Sequence, residues 1–116
     1  MKISTTSPKI EPHTGCVASA LTILGNKWTA LILLDLSDGP KRFCKLEDDL
    51  GNISPRTLSK RLEDLVAHQI ISKQSFAEVP PRVEYALTPK GNDFIPVLKQ
   101  MAAWGTKYPS NSRLAD

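Results

Sequence analysis

Six basic side chains lie in one central stretch of the sequence, between residues 41 and 61. They are Lys41, Arg42, Lys45, Arg56, Lys60 and Arg61. The same stretch holds only three acidic residues, so it carries the whole formal net charge of +3, and the remaining charges cancel. Ammonium and guanidinium groups indicate a binding partner only when they are clustered, and this cluster favours a polyanionic partner.

Three of these cations follow the clearest helix start in the sequence. Ser54 is a favourable N-cap, and Pro55 suits the first helical position. Apolar residues then recur with the helical period, as Leu58, Leu62, Leu65 and Val66. Arg56 and Lys60 point away from that stripe, although the helix macrodipole favours acids in the first turns. A local rule broken in this way indicates that the basic face has a function.

Helical patterns also precede the capped helix. Apolar residues at steps of three or four over 17–34 predict two helices, or one kinked helix, that meet at Gly25–Asn26. Gly39–Pro40 is a stop signal for this run. A short helix over 42–50 follows and is closed by Gly51–Asn52. A short helix, a tight turn and a well-capped helix form a helix-turn-helix pattern.

After the capped helix the period of the apolar residues changes to two. Strand-like runs over 70–76 and 83–87 flank Val79–Pro80–Pro81, which predicts a hairpin with a proline-stiffened tip. Thr88 caps a last helix, in which Pro96 predicts a kink or a late start. The predicted fold class is therefore α+β and mostly helical: a winged helix-turn-helix with a two-stranded wing and added N- and C-terminal dimerisation helices.

The length of 116 residues predicts one domain. We expect a flexible arm over 1–15, a winged helix-turn-helix domain over 16–108 and a polar tail over 109–116. The longest apolar run has five residues, at 30–34, so we expect no membrane span and no membrane partner. Two cysteines are too few for a disulfide scaffold and suit a cytoplasmic location.

Five stretches of sequence, in this order, carry a resemblance to a known family. They are Gly25–Trp28, Asp38–Phe43, Ile53–Ser54 with Arg56 and Leu58, Glu78–Tyr85 with Leu87–Thr88, and Trp104–Gly105. Over roughly 16–107, the chain resembles the HxlR-type winged helix-turn-helix transcriptional regulators of bacteria and archaea, relatives of the MarR group. The resemblance implies DNA binding, dimers, and control of nearby genes in response to stress or metabolites.

The sequence departs from the family at two positions. Gln69 stands between the capped helix and the wing, where the family usually has Gly. A positive φ at this position carries a cost for Gln, so we expect either a strained residue or a different turn. Val17 follows Cys16, whereas the family cysteine is usually followed by Pro.

The candidate DNA-binding residues fall into three groups. The residues expected at base edges or in the groove are Ser54, Arg56, Thr57 and Lys60. Those expected at phosphates are Lys41, Arg42, Lys45 and Arg61. Arg82, beside the prolines of the wing, is a candidate for a DNA contact, and the alternative is a salt bridge to Glu78 or Glu84. For each residue the competing interpretation is a solubilising surface charge.

Two further sets concern regulation and assembly. Cys16 is the candidate thiol sensor, because the resemblance implies that this family cysteine reacts with oxidants or electrophiles; Cys44 is a weaker candidate, and the alternative for both is a quiet thiol. The candidate dimer interface, with a plain core role as its alternative, consists of Val17, Leu21, Leu24, Leu98, Met101 and Trp104.

These patterns predict a sequence-specific DNA-binding transcriptional regulator that acts as a homodimer on an inverted repeat of double-stranded DNA. The expected effector is a small molecule or an oxidant. An oxidant or an electrophile would act through Cys16. The alternative is a winged-helix protein-interaction module that binds an acidic partner. The sequence has no Gly-rich phosphate loop, no chelating cluster and no nucleophile–base pair, so we expect no enzyme, no cofactor and no metal site.

Overall fold

The computed structural model describes residues 16–25 and 27–109. The predicted arm, 1–15, and residues 110–116 of the predicted tail lie outside the described residues. Within the described ranges, five helices and three strands follow one another. They are α1 (Val17–Ile23), α2 (Lys27–Leu36), β1 (Lys41–Arg42), α3 (Phe43–Leu50), α4 (Pro55–Ala67), β2 (Ile71–Phe76), β3 (Arg82–Leu87) and α5 (Pro89–Lys107).

The run of apolar residues before the helix-turn-helix forms two helices, α1 and α2, as the interruption at 25–26 predicts. In the described part of the chain, no single helix is long and apolar enough to cross a membrane; only the bent pair of α1 and α2, taken together, reaches that length and composition. α2 is the more buried of the two, because it has four buried residues and α1 has none.

α2 lies at the centre of the core and packs against α3, α4 and α5. Its Ile32 and Leu33 are completely buried, as is Leu46 of α3. Each such aliphatic side chain contributes about 1.5–3 kcal/mol relative to an exposed position. The core therefore fixes the two helices of the helix-turn-helix against one supporting helix.

The predicted helix start at Ser54 is confirmed. The Ser54 hydroxyl accepts a hydrogen bond from the Thr57 backbone N–H at 3.1 Å, and Pro55 is the first residue of α4. The three buried residues of this helix are the predicted stripe, Leu58, Leu62 and Leu65. α3 ends at Leu50, and its C-cap is Gly51, whose φ of 74° suits a residue without a Cβ. The tight turn between α3 and α4 follows from these two local signals.

The sheet has one strand more than the predicted two-stranded wing. β2 and β3 form the predicted antiparallel hairpin, and β1 pairs with the other edge of β3, which gives the order β1-β3-β2. Lys41 lies opposite Tyr85, and Arg42 lies opposite Glu84. The prediction that the helix begins at Arg42 is wrong, because α3 begins at Phe43. A strand of two residues is too short to show a period in the sequence.

The wing joins α4 and α5 at a crowded junction. Gln69 has a φ of 61°, so the strained alternative expected at this position is the one adopted. The Ile70 carbonyl accepts hydrogen bonds from the Thr88 N–H at 3.1 Å and from the Thr88 hydroxyl at 3.0 Å. A Cβ on Gly91 would lie 2.2 Å from the same oxygen, so only glycine fits there. The start of α5 is thereby fixed against the base of the wing.

α5 begins at Pro89, immediately after the Thr88 cap that the sequence predicts, so the late start, one of the two alternatives at Pro96, is wrong. The Thr88 hydroxyl accepts from the Gly91 N–H at 3.1 Å, which makes it the N-cap of the helix. Pro96 lies inside the continuous helix. The helix of 19 residues spans about 28 Å at 1.5 Å per residue.

Candidate nucleic-acid interface

The outer face of α4 carries the predicted groove residues. Arg56 lies at the second position of the helix and is exposed. It makes no ion pair with any residue that the structure describes. Its five N–H donors are therefore available to a ligand, and a guanidinium can bind the O6 and N7 atoms of guanine in a bidentate manner.

Lys60 and Arg61, one turn further along α4, share an acidic partner. Lys60 Nζ lies 3.1 Å from Asp64 Oδ1, and Arg61 Nη1 lies 3.6 Å from Asp64 Oδ2. The Lys60 side chain remains 62% exposed and that of Arg61 32% exposed. Both cations remain close to solvent, but a phosphate has to compete with Asp64 for them.

Ser54 and Thr57 are engaged in the helix cap. The Ser54 hydroxyl accepts from the Thr57 N–H and donates to the Thr57 hydroxyl oxygen at 2.9 Å. Ser54 is exposed, and Thr57 is half-buried. The Thr57 hydroxyl hydrogen stays available for a ligand, whereas Ser54 acts first as the residue that starts the helix.

Lys41 lies inside an ion-pair network, which we define as Lys41 with Asp35, Asp38 and Asp49. Its Nζ is 2.6 Å from Asp35 Oδ1, 2.9 Å from Asp49 Oδ2 and 3.8 Å from Asp38 Oδ2. The side chain is only 13% exposed. These contacts tie β1 to α2 and α3. The phosphate contact of Lys41 stays a prediction, and a phosphate would have to compete with these carboxylates for its ammonium group.

Charge and burial act differently on the members of this network. Hydrogen bonds first to Asp35 and then to Asp49 raise the pKa of Lys41. The hydrogen bonds from Lys41 and then Lys45 lower the pKa of Asp49 to about 2. Burial raises the pKa of Asp35 in spite of the neighbouring ammonium. The fold therefore favours the charged form of Asp49 and disfavours that of Asp35, which is buried more deeply.

The other two phosphate candidates next to β1 are more accessible. Arg42 is exposed and has no ion-pair partner among the described residues. Lys45 is 61% exposed, and its Nζ lies 3.1 Å from Asp49 Oδ1. Arg42 can thus contact an anion directly, whereas Lys45 first has to leave its ion pair with Asp49.

Arg82 is held on the wing. Its Nη2 lies 3.1 Å from Glu78 Oε2, and its Nε lies 3.7 Å from Glu84 Oε2. The guanidinium carbon lies 3.9 Å from the centre of the Phe76 ring, a cation–π distance. The side chain is only 28% exposed. The salt-bridge alternative for Arg82 agrees with this geometry, and a DNA contact would have to break these interactions.

Lys73 is a basic residue that the sequence reasoning missed. It is exposed on β2 and lies opposite Tyr85 of β3. Together with Glu63 and Val66 of α4 it lines a groove between the wing and this helix. A lone lysine in a strand gives no signal in the sequence, and only the packing of the hairpin beside α4 brings it to the groove that Glu63 and Val66 line.

Cys16 is the N-cap of α1 and is exposed. Its Sγ lies 3.1 Å from Ser19 Oγ, and this hydrogen bond is the main reason why the pKa of the thiol is lowered. The thiol opens into a cavity of about 590 Å³ that also touches Ile70, Lys90 and Phe94. Cys44 is exposed on α3. The described residues contain no cluster of His, Cys, Asp and Glu that could hold a metal ion.

The predicted dimer residues divide into exposed and buried sets. The exposed fraction is 57% for Val17, 61% for Leu21, 50% for Met101 and 67% for Trp104. Leu98 is only 2% exposed, and Leu24 packs partly against the core. The burial of Leu98 and Leu24 agrees with the alternative given for the dimer residues, a plain role in the core. Val97 of α5 and Tyr108, the residue after its end, are exposed as well.

Comparison with known proteins gives consistent matches. The model of the family described as HxlR-like helix-turn-helix matches residues 23–113. An HTH-type transcriptional regulator of Methanothermobacter thermautotrophicus is 39% identical over 95 residues, which cover 82% of this chain and 72% of that protein. The HTH-type transcriptional regulator YodB of Bacillus subtilis is 36% identical over 105 residues, which cover 90% of this chain and 88% of YodB.

Two solved regulators have similar structures. The redox regulator HypR in its oxidised form matches with a TM-score of 0.76 and 33% identity, over 82% of this chain and 98% of that one. The reduced form of YodB matches with a TM-score of 0.74 and 35% identity, over 83% of this chain and 94% of that one. YodB has also been solved after diamide treatment and bound to a quinone, and these forms match with TM-scores of 0.71 and 0.69.

Proposed function

Because the chain belongs to the HxlR-like helix-turn-helix family of transcriptional regulators, we propose that it acts as a homodimer that binds an inverted repeat of double-stranded DNA in the cytoplasm. The observation that carries the proposal is the exposed, basic start of α4 on a rigid helix-turn-helix. In such proteins the N-terminal part of the second helix contacts base edges in the major groove.

The residues of the interface take different roles in this proposal. Arg56 reads a base edge, because its guanidinium is exposed and unpaired within the described part of the chain. Thr57 offers its methyl group and hydroxyl to the same groove. Arg61, Arg42 and Lys45 contact phosphates, and Lys60, which the sequence predicts in the groove, contacts a phosphate at its edge. Lys41 and Arg82 are left out of the direct contacts, because carboxylates already surround both.

A dimer explains the apolar residues that the single chain leaves exposed on α1 and α5. Val17, Leu21, Met101 and Trp104 are all at least half exposed. Exposed apolar patches on soluble proteins mark interaction sites. A two-fold dimer through these helices would place two copies of α4 on one face of the duplex, about 34 Å apart.

We further propose that Cys16 makes DNA binding sensitive to oxidants or electrophiles. The lowered pKa of its thiol and its exposure favour the reactive thiolate. The names of the similar structures support this proposal, since HypR is a redox regulator and YodB binds a quinone. The cavity beside the thiol offers space for a small molecule.

The DNA-binding proposal is tested with duplexes selected from a random pool by the wild-type protein. Replacing Arg56 with Ala should cost about 1–3 kcal/mol on the selected site and relax the sequence preference at one position. Arg42→Ala should weaken binding to all sequences alike, because a phosphate contact carries no sequence information. Fluorescence anisotropy at several salt concentrations measures both effects.

Lys99→Ala is the matched control, since Lys99 is an exposed cation on α5 and does not belong to the helix-turn-helix. It should leave affinity and specificity nearly unchanged. Binding that does not depend on salt, or that both interface variants leave intact, would contradict the proposal. Wild-type protein that selects no DNA but binds an acidic protein would favour the interaction-module alternative.

The thiol proposal is tested by treating the protein with diamide and, separately, with a quinone. DNA affinity should change in the wild type and in Cys44→Ser, but not in Cys16→Ser. Thiol titration before and after treatment confirms that the reagents have reacted. An unchanged affinity in fully reacted wild-type protein would exclude Cys16 as a sensor.

A further inference from the structure

We propose that Asp64 is a positioning residue that weakens phosphate-driven binding of DNA, because it holds Lys60 and Arg61 in ion pairs while no DNA is bound. The inference rests on the proposed DNA-binding function and concerns the same face of α4. It assigns a role to an acidic side chain that contacts no DNA itself.

The geometry places both carboxylate oxygens of Asp64 on cations of the basic face. Oδ1 is 3.1 Å from Lys60 Nζ, and Oδ2 is 3.6 Å from Arg61 Nη1. Arg56, earlier on the same helix, has no such partner in the described part of the protein. The basic face of α4 therefore has two parts. Arg56 near the helix start is unpaired, and Lys60 and Arg61 are held by Asp64.

A duplex that approaches α4 has to exchange these ion pairs for phosphate contacts. The exchange is feasible, because Lys60 is 62% exposed and an exposed pair four residues apart on a helix is weak. Each phosphate neutralised by a protein cation releases counterions from the DNA. When Lys60 leaves Asp64, however, the freed carboxylate attracts a cation from solution. The net ion release, and with it the gain in affinity, is smaller than for an unpaired lysine.

Glu63 provides a matched control one residue away. It has the same charge, is exposed, and forms no ion pair with the residues that the structure describes. Replacing either acid with its amide makes the surface equally more positive. Only Asp64→Asn also releases Lys60 and Arg61, so the difference between the two variants isolates the effect of the ion pairs.

The experiment measures the affinity of the full chain for a duplex of scrambled sequence, between about 50 and 200 mM salt. Asp64→Asn should bind about two- to fivefold more tightly than the wild type, the range expected for an exposed pair. Its plot of log affinity against log salt should be steeper by up to about one unit. Glu63→Gln should show a smaller gain and the wild-type slope.

The dependence on the two paired cations distinguishes the ion pairs from a general effect of charge. In a background that carries both Lys60→Gln and Arg61→Gln, Asp64→Asn should gain no more than Glu63→Gln does. Equal gains and equal slopes for the two acid variants, or a larger gain from Asp64→Asn that persists without both cations, would overturn the inference alone. Wild-type protein that binds no duplex even at low salt would overturn the proposed function and, with it, this inference.

Thermal melting shows whether each variant folds. If Asp64→Asn does not fold, Lys60→Gln and Arg42→Gln in the wild-type background provide the test. Loss of the paired Lys60 should reduce the salt slope less than loss of Arg42, which has no ion pair in the described chain. An equal or larger reduction for Lys60→Gln would overturn the inference.

Discussion

At the scale of single residues, Gln69 stands out because its backbone has a φ of 61°. The left-handed conformation costs about 1–2 kcal/mol for a residue with a Cβ. It is imposed by the junction, where the Gln69 carbonyl accepts from the Thr88 hydroxyl at 2.7 Å and the next carbonyl, of Ile70, accepts from Thr88 as well. Neighbouring hydrogen bonds therefore hold the residue in a conformation that its own side chain disfavours.

We predict that Gln69→Gly stabilises the fold by up to about 1 kcal/mol. Relief of the backbone strain outweighs the greater entropy of glycine in the unfolded chain. The midpoint of urea unfolding measures the change. Gln74→Gly, the same substitution within β2, is the control and should destabilise the protein. A loss of stability in Gln69→Gly as large as that in the control would contradict the prediction.

At the scale of secondary-structure elements, the sequence predicted what local interactions determine. The Ser54 cap, the apolar stripe of α4 and the hairpin are each encoded within a few neighbouring residues. Strand β1 and the ion pairs of Lys41 were missed, because they depend on partners in other elements, such as Tyr85 and Asp35. Of the candidate site, the sequence predicted the outward direction of Arg56 and gave the salt bridges of Arg82 as an alternative, but it did not predict the internal pairing of Lys41.

The network around Lys41, which joins β1 to α2 and α3, predicts a response to acid. Folding lowers the pKa of Asp49 to about 2, mainly through Lys41, from an unfolded value of about 4. A carboxyl group with a depressed pKa stabilises the fold above its unfolded pKa, and this contribution is lost as the pH falls through the folded value. We therefore expect stability to fall between about pH 4 and pH 2. The raised pKa of Asp35 has the opposite sign, since its protonation favours folding.

Unfolding followed by circular dichroism across this pH range tests the prediction. Asp49→Asn should be less stable than the wild type at neutral pH and should show a smaller loss between pH 4 and 2. Asp48→Asn is the control, because Asp48 is exposed and makes no ion pair among the described residues. It should keep the wild-type pH profile. Parallel profiles for Asp49→Asn and the wild type would contradict the prediction.

At the scale of the whole molecule, the exposed apolar face of α5 predicts that the protein is a dimer. Trp104 is 67% exposed, and its ring centre lies 5.4 Å from that of Tyr108. Buried aromatic residues dominate the energetics of interfaces, so loss of this one should cost at least about 2 kcal/mol of association. Trp104→Lys should therefore turn a dimer into a monomer at micromolar concentration, as measured by analytical ultracentrifugation.

The same variant separates assembly from DNA recognition. Trp104→Lys should bind a complete inverted repeat less tightly than the wild type does. Its affinity for a single half-site should equal that of the wild type. Lys99→Ala, which changes an exposed residue on the same helix, should remain dimeric. A wild-type protein that is already monomeric at these concentrations would exclude a dimer through α5.

The crowded junction at Ile70 and Gly91 has a mechanical consequence for such a dimer. With a Cβ excluded at Gly91 and the Ile70 carbonyl bonded twice to Thr88, the start of α5 and the base of the wing are packed as one unit. Each α4 would lie about 17 Å from the two-fold axis, half the spacing of successive major grooves. A rotation of about 10° between the subunits would then displace the two α4 helices by about 3 Å relative to each other and take the pair out of step with the repeat of the duplex.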